Sequence, residues 1–213
     1  MYWQIIQKQD TIRLWKNEMQ EIFENFIRLF SPPAQGIKPT EKTIKKYKGK
    51  LPDGLFVLWK EYGFGNYGDG LVKIINPSDY EEVQGINKTV DISFLVTAFG
   101  DIFIYRFIPD KKLKAVGILN MHFRSREFFI VGEDCIEQFF DGIDISLPIL
   151  RTGLYREAVE KHNGIPAHDE IFFFTPALGM GGDENIKFVD KGKALVHYEI
   201  LSQMLGSDFN ANY

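Results

Sequence analysis

Residues 51–70 read LPDGLFVLWKEYGFGNYGDG, and this stretch decides how the first half of the chain is organised. Pro52 followed by Asp53 is typical of the first turn of a helix, where an acid lies close to unpaired backbone amides. Gly63 stands where a C-cap glycine belongs. The apolar residues between them recur at helical spacing, and they are Leu55, Leu58, Trp59 and Tyr62. The stretch therefore predicts a short helix that ends at Gly63.

The glycines at positions 63, 65, 68 and 70 raise the alternative of a phosphate-binding loop. Such a loop requires the order strand, glycines, helix, with a following lysine in the commonest form. Here the glycines follow a helix and precede the apolar run LVKII at 71–75, and no Gly-Lys-Ser/Thr motif is present. The pattern therefore predicts a helix stop and a turn rather than a nucleotide site.

Composition indicates an ordinary globular protein, because 45% of the 213 residues are hydrophobic and 25% are charged. The net charge of −4 is uneven: residues 1–50 hold ten Lys/Arg against five Asp/Glu, and the remainder holds fifteen against twenty-four. The acidic remainder makes nucleic acid an improbable partner but suits a basic protein. Since no targeting segment or membrane span is evident, we expect a cytoplasmic protein without membrane contact.

The order of patterns predicts an α+β fold: a mostly antiparallel sheet with N-terminal and C-terminal helices packed on it. Short β-branched and aromatic runs occupy residues 71–131 without intervening helices, as antiparallel neighbours do. A frayed end is expected after Gly206. Helical periodicity is found in four further segments, which are 11–30, 133–142, 147–164 and the end of 187–206.

Catalytic motifs are weak in this sequence. The single cysteine, Cys135, lies in a predicted helix and is interpreted as a structural thiol. The run His168-Asp169-Glu170 resembles a ligand set, yet no HExxH or similarly spaced metal motif accompanies it. The glycine cluster at 179–185 lacks GxGxxG spacing and is predicted to be a flexible surface loop. We therefore expect no enzyme activity, no cofactor and no metal.

The opening stretch, together with INPSDY and TAFGDIFIY further on, resembles the GAD-like domain of bacterial immunity proteins. The segment DEIFFFTPALGMGGDENIKFVDKGKALVHYEILSQMLG resembles the companion immunity C-terminal domain. The resemblance implies a GAD-like domain over 1–135 and an immunity-type domain over 136–213. It also implies a set of fold-determining motif positions, which are Leu51, Pro52, Trp59, Tyr62, Gly63, Gly65, Gly100, Asp101, Pro176, Ala177, Leu178 and Gly206.

What the family resemblance implies is an immunity protein of a type VI secretion system that binds and neutralises a cognate toxin, a DNase, encoded nearby. The family offers no catalytic residues to carry over. Because a DNA-binding toxin presents a basic cleft, acids near loops are the candidate partner contacts. These candidates are Asp169, Glu170, Asp183 and Glu184.

Two alternatives remain open on sequence grounds. The basic segment 38–50 could make the protein a nucleic-acid- or small-ligand-binding module, with Lys45, Lys46 and Lys48 as contacts. The competing, non-functional interpretation of that segment is the solvent-exposed face of a helix. The second alternative is a hydrolase with a site assembled in space, either from carboxylates or from His168, Asp169 and Glu170.

Overall fold

The computed structural model describes residues 23–206 and 208–211. Within these residues the helices are α1 (23–29), α2 (Glu41–Tyr47), α3 (Asp53–Glu61), α4 (Cys135–Gly142), α5 (Thr152–Lys161) and α6 (Ala194–Leu205). The strands are β1 (Gly65–Tyr67), β2 (Val72–Ile74), β3 (Asp91–Thr97), β4 (Ile102–Ile108), β5 (Leu113–Asn120), β6 (Ser125–Val131), β7 (Glu170–Phe174), β8 (Val189–Lys193) and β9 (Asn210–Ala211).

The main sheet follows chain order from β1 to β6, and every pair in that series is antiparallel. The two-residue strand β9 joins the outer edge of β6 in parallel. Strands β7 and β8 form a separate antiparallel hairpin. The predicted α+β fold with a mostly antiparallel sheet is confirmed.

The central strands are buried on both faces, which explains why they read as continuous apolar runs rather than alternating ones. Successive side chains of a strand point to opposite faces, and β4 shows the consequence. Phe103 and Tyr105 join a large core with helices α1 to α5, whereas Ile102 and Ile104 join a smaller core with α6. Helix α6 thus covers the sheet face opposite the other helices.

The quoted stretch folds as predicted at its start: α3 begins at Asp53, and Gly63 has a positive φ of 88° just after the helix. Trp59 is fully buried and packs edge-on against Phe56 and Phe64. The predicted turn itself contains a strand, β1, which pairs with β2. Strand β1 was missed because three residues that include a glycine are too few to show the alternation of apolar and polar side chains that is typical of a strand.

The predicted helix over 147–164 is interrupted. Residues Pro148–Leu150 form a single 3₁₀ turn, and Arg151 adopts the left-handed conformation with φ 48° before α5 begins. Helical periodicity continued through this break because Leu150 and Tyr155 are both core residues. Next to this break, the Arg151 guanidinium contacts Asp101 in the β3–β4 turn.

The two chain ends differ from expectation in different ways. The frayed end predicted after Gly206 was wrong for Asn210 and Ala211, which pair with β6. Most of the predicted helix over 11–30 lies outside the described residues, although 23–29 are helical. No helix among the described residues has the length and apolar character needed to cross a membrane.

Candidate partner-binding surface

Helix α6 has an apolar outer face. Its inner residues Ala194, Tyr198 and Leu201 pack in the smaller core, as an amphipathic helix requires. Six of its residues are exposed, and four of these are large apolar side chains, between 44% and 57% exposed: Leu195, Val196, Ile200 and Met204. The helix is therefore apolar on both sides, and exposed apolar patches of this kind are typical of interaction sites.

An apolar groove of about 350 Å³ runs along one side of this face. Val196, Ile200 and Met204, each one helical turn from the next, form one wall of the groove, and Phe173 and Pro176 contribute to the other. The His197 ring stacks on Phe173 with centroids 4.3 Å apart. Burial lowers the pKa of His197 to about 4, with a further contribution from His122, so this lining ring is uncharged at neutral pH.

An acidic groove of about 330 Å³ lies on the other side of α6. Leu195 and Glu199 contribute from the helix, and Asp79 and Glu82 contribute from the loop between β2 and β3. Asp79 accepts a hydrogen bond from the Asn76 amide at 3.2 Å. Glu82 pairs with Lys88, but both side chains are largely exposed, so this pair is weak. Among the residues that the structure describes, no lysine or arginine lines this groove.

We define the α6 surface as the exposed residues Leu195, Val196, Glu199, Ile200 and Met204 together with these two grooves. Sequence analysis placed a helix here but missed the surface. The signal was present, because residues 194–205 carry apolar residues all round the helix rather than along one stripe. The acids Asp79 and Glu82 are distant in sequence from α6, and only the fold brings them beside it.

The comparisons with known proteins divide the chain into two matches. Residues 21–116 match the family described as GAD-like domain, and residues 148–205 match the family described as T6SS immunity protein Tdi1, C-terminal. The chain therefore carries a region similar to the GAD-like domain, followed by a region similar to the C-terminal domain of a T6SS immunity protein. These two matched regions are called below the GAD-like domain and the Tdi1 C-terminal domain. The α6 surface spans both, because Asp79 and Glu82 belong to the GAD-like domain and α6 belongs to the Tdi1 C-terminal domain.

One solved structure adds a comparison of the fold. The crystal structure of Atu4351 from Agrobacterium tumefaciens superposes with a TM-score of 0.70, at 18% sequence identity, over 85% of this chain and 88% of that one. At this identity the similarity concerns the fold alone. No curated protein sequence matches the chain.

The two acids predicted at the start of β7 are engaged by a lysine of the same domain. Lys193 Nζ lies 2.7 Å from Asp169 Oδ2 and 3.5 Å from Glu170 Oε1. Glu170 also accepts a hydrogen bond from the Ala167 amide. A partner cation would therefore have to compete with Lys193 for both carboxylates.

The other two predicted acids lie beyond the opposite end of β7, roughly 13 Å away along the strand. Asp183 is exposed, and Glu184 binds the Arg151 guanidinium at 2.9 Å. The four acids therefore do not form one patch. Whether any of them contacts a partner stays a prediction.

Arg151 connects the Tdi1 C-terminal domain to the GAD-like domain. Its Nη1 donates to the Oδ2 of Asp101 at 2.9 Å, and Asp101 is fully buried at the turn between β3 and β4. The Asp101 Oδ1 accepts from the Met121 amide. The guanidinium also lies 5.7 Å from the Phe99 ring centroid. Through its contact with Arg151, the motif residue Asp101 of the GAD-like domain binds the Tdi1 C-terminal domain.

The remaining positions that were predicted to determine the fold lie in the core or at the ends of elements. Gly100 has a positive φ of 89°, and a Cβ there would lie 2.7 Å from Ile171. Leu51, Trp59 and Leu178 are buried. Positions at element ends or turns are Pro52, Tyr62, Gly63, Gly65, Pro176, Ala177 and Gly206.

The other candidate sites from the sequence are the His168-Asp169-Glu170 run, Cys135 and the basic segment 38–50. His168 lies beside Asp169 and Glu170 in sequence, but these acids bind Lys193, and no trio of metal-ligating side chains is found among the described residues. Cys135 is buried, and burial raises its pKa to about 11, so the thiol is protonated at neutral pH. Lys46 of the basic segment pairs with Glu81 at 2.6 Å, whereas Lys45 and Lys48 are exposed.

Proposed function

We propose that this protein is an immunity protein that binds and neutralises a cognate toxin delivered by a type VI secretion system. The match of residues 148–205 to the Tdi1 immunity domain carries the proposal. The apolar outer face of α6 supports it, because a helix face of this kind fits contact with another protein better than contact with water. The protein acts by stoichiometric binding rather than by catalysis.

The proposed toxin is a DNase encoded by a neighbouring gene, and the immunity protein acts in the cytoplasm of the cell that makes both. A DNase must present cations to hold the phosphate backbone of its substrate. The chain from residue 51 onwards carries a surplus of nine acidic charges. Opposite potentials speed the encounter of two proteins and allow the acidic partner to cover the DNA-binding cleft.

The experiment is a pull-down with a tagged immunity protein and the product of the adjacent gene, inactivated at its catalytic site so that cells survive. The expected result is a one-to-one complex that resists washing. Co-expression with the active toxin should restore growth and keep the chromosome intact. A toxin from an unrelated locus serves as the specificity control.

Two outcomes would reject the proposal. In the first, the toxin of the adjacent gene still inhibits growth although the immunity protein is abundant. The other is a protein that ignores the toxin but binds DNA or RNA in a salt-dependent way that replacement of Lys45, Lys46 and Lys48 abolishes. The second outcome would establish the basic segment 38–50 as the functional region.

A further inference from the structure

We propose that the α6 surface receives one segment of the toxin that combines apolar and basic side chains and lies along α6. This inference rests on the proposed function and names the part of the immunity protein that performs it. The apolar side chains of the segment enter the groove between α6 and the β7–β8 hairpin. Its lysine or arginine side chains enter the acidic groove between α6 and the β2–β3 loop.

The length of the apolar stripe sets the size of the segment. Val196, Ile200 and Met204 are spaced four residues apart, so they cover roughly 12 Å along the helix axis. A partner helix of about eight residues covers the same distance. Helices that dock in grooves use anchors at the same spacings of three and four residues.

Among the described residues that line the apolar groove, the one lysine is half-exposed and is paired with a carboxylate. His197 is neutral because burial depresses its pKa, and the lysine that lines the groove, Lys193, is bound to Asp169 at 2.7 Å. Phe173, Pro176 and Met204 supply the apolar lining. Aromatic, aliphatic or methionine side chains of the partner therefore match this groove.

The acidic groove supplies the charge preference. Neither Asp79 nor Glu199 forms an ion pair with a residue that the structure describes, and each accepts only an amide hydrogen bond, from Asn76 and Gln203 respectively. A partner cation would therefore gain new ionic contacts without displacing an internal one. The proposed DNase supplies such cations, since its DNA-binding cleft is basic.

A second copy of this chain fits the surface less well. A twofold contact along α6 uses the same patch on both copies. It would bring Asp79, Glu82 and Glu199 of both molecules into one interface, where like charges repel. The toxin is therefore the proposed partner of the α6 surface.

The test measures the affinity of purified full-length variants for the catalytically inactive toxin by calorimetry or surface plasmon resonance. Ile200→Asp should weaken binding by about 100-fold or more, because a charge in the apolar groove has no partner. Glu199→Lys should weaken binding by about tenfold and reduce the salt dependence of the association rate. Hydrogen exchange in the wild-type complex should show protection of α6.

Matched controls are available on other surfaces. Ile37→Asp makes the same apolar-to-acid change at an exposed position in another part of the chain, and Glu160→Lys makes the same charge reversal on α5. Both controls should bind as wild type does. Circular dichroism and thermal melting establish that each variant is folded.

The outcomes separate this inference from the proposed function. Toxin binding by the wild type with unchanged affinity in Ile200→Asp and Glu199→Lys would overturn the inference and leave the immunity role standing. Absence of binding by the wild type would overturn both. A free protein that is dimeric, and that Ile200→Asp converts to a monomer, would assign the α6 surface to self-association and also overturn the inference.

Discussion

Helices α5 and α6 belong to the same domain and have similar lengths, yet their outer faces are opposite in character. The exposed residues of α5 are Gly153, Arg156, Glu157, Glu160 and Lys161. Most of the exposed residues of α6 are large and apolar. Both helices bury an inner face in a core, so folding alone accounts for the inner residues of each. It does not account for the outer face of α6.

The two helices are also held in different ways. Helix α5 is fixed by polar contacts at both ends: Arg151 binds Asp101 just before it, and Lys161 donates to the carbonyls of Ile186 and Val189 at its last turn. Helix α6 is held mainly by apolar packing, together with hydrogen bonds from the Tyr198 hydroxyl to the carbonyl of Gly100 and from the Ala194 amide to the carbonyl of Asp169. Helix α5 therefore helps to attach the domain, whereas α6 completes the smaller core and leaves an apolar face exposed.

The largest effect is expected from Arg151→Met, which removes the polar attachment before α5. It leaves the fully buried Asp101 carboxylate without its cation, and breaking a buried pair in this way costs about 3–5 kcal/mol of unfolding free energy. Urea denaturation followed by circular dichroism measures the loss. The double variant Asp101→Asn with Arg151→Met should recover part of it, because the unpaired charge is gone. A loss below about 1 kcal/mol would mean that the pair behaves as a surface ion pair.

A smaller, pH-dependent effect is expected from His197 on the inner side of α6. In the unfolded chain histidine titrates near pH 6.5, whereas in the folded protein the pKa of His197 is lowered to about 4 by burial and by His122. The unfolded state therefore binds more protons between these values, so stability that is complete above pH 6.5 declines as the pH falls towards 4. The loss attributable to His197 approaches ~3 kcal/mol.

The comparison with His197→Phe isolates this contribution. Phenylalanine keeps a ring against Phe173 but cannot be protonated, so the difference in unfolding free energy between the two proteins should change across pH 6.5 to 4. Urea midpoints at several pH values measure it. Parallel curves for the two proteins would show that His197 titrates normally in the folded state.

How far the sequence predicted this molecule depends on whether a feature is local. Helix α3, strands β2 to β6 and the end of α6 at Gly206 follow from periodicity, capping and turn residues, which act over a few positions. The break at Arg151 was missed, and the contact that Arg151 makes next to it is with a buried carboxylate fifty residues away. Local pattern does not encode that contact.

The candidate surface shows the same division. The apolar character of the outer face of α6 was present in residues 194–205 and could have been recognised, since a helix that is apolar all round needs a second contact. Its pairing with Asp79 and Glu82 required the fold. The predicted acids were chosen because they lie near loops, a criterion that does not detect that Lys193 and Arg151 already bind three of them.

The smallest effect on the free energy of unfolding is expected from Ile200→Glu in the free protein. This variant tests directly whether the outer face of α6 is as exposed to solvent as that of α5. If the outer face of α6 is solvent-exposed in the uncomplexed chain, the substitution should change the free energy of unfolding by no more than about 0.5 kcal/mol, as exposed positions do. Arg156→Glu on α5 is the matched control and should behave alike. If another part of this chain covered Ile200, burial of a glutamate would instead cost ~2 kcal/mol or more. Urea denaturation distinguishes the two results, and the second would make α6, like α5, a helix explained by folding alone.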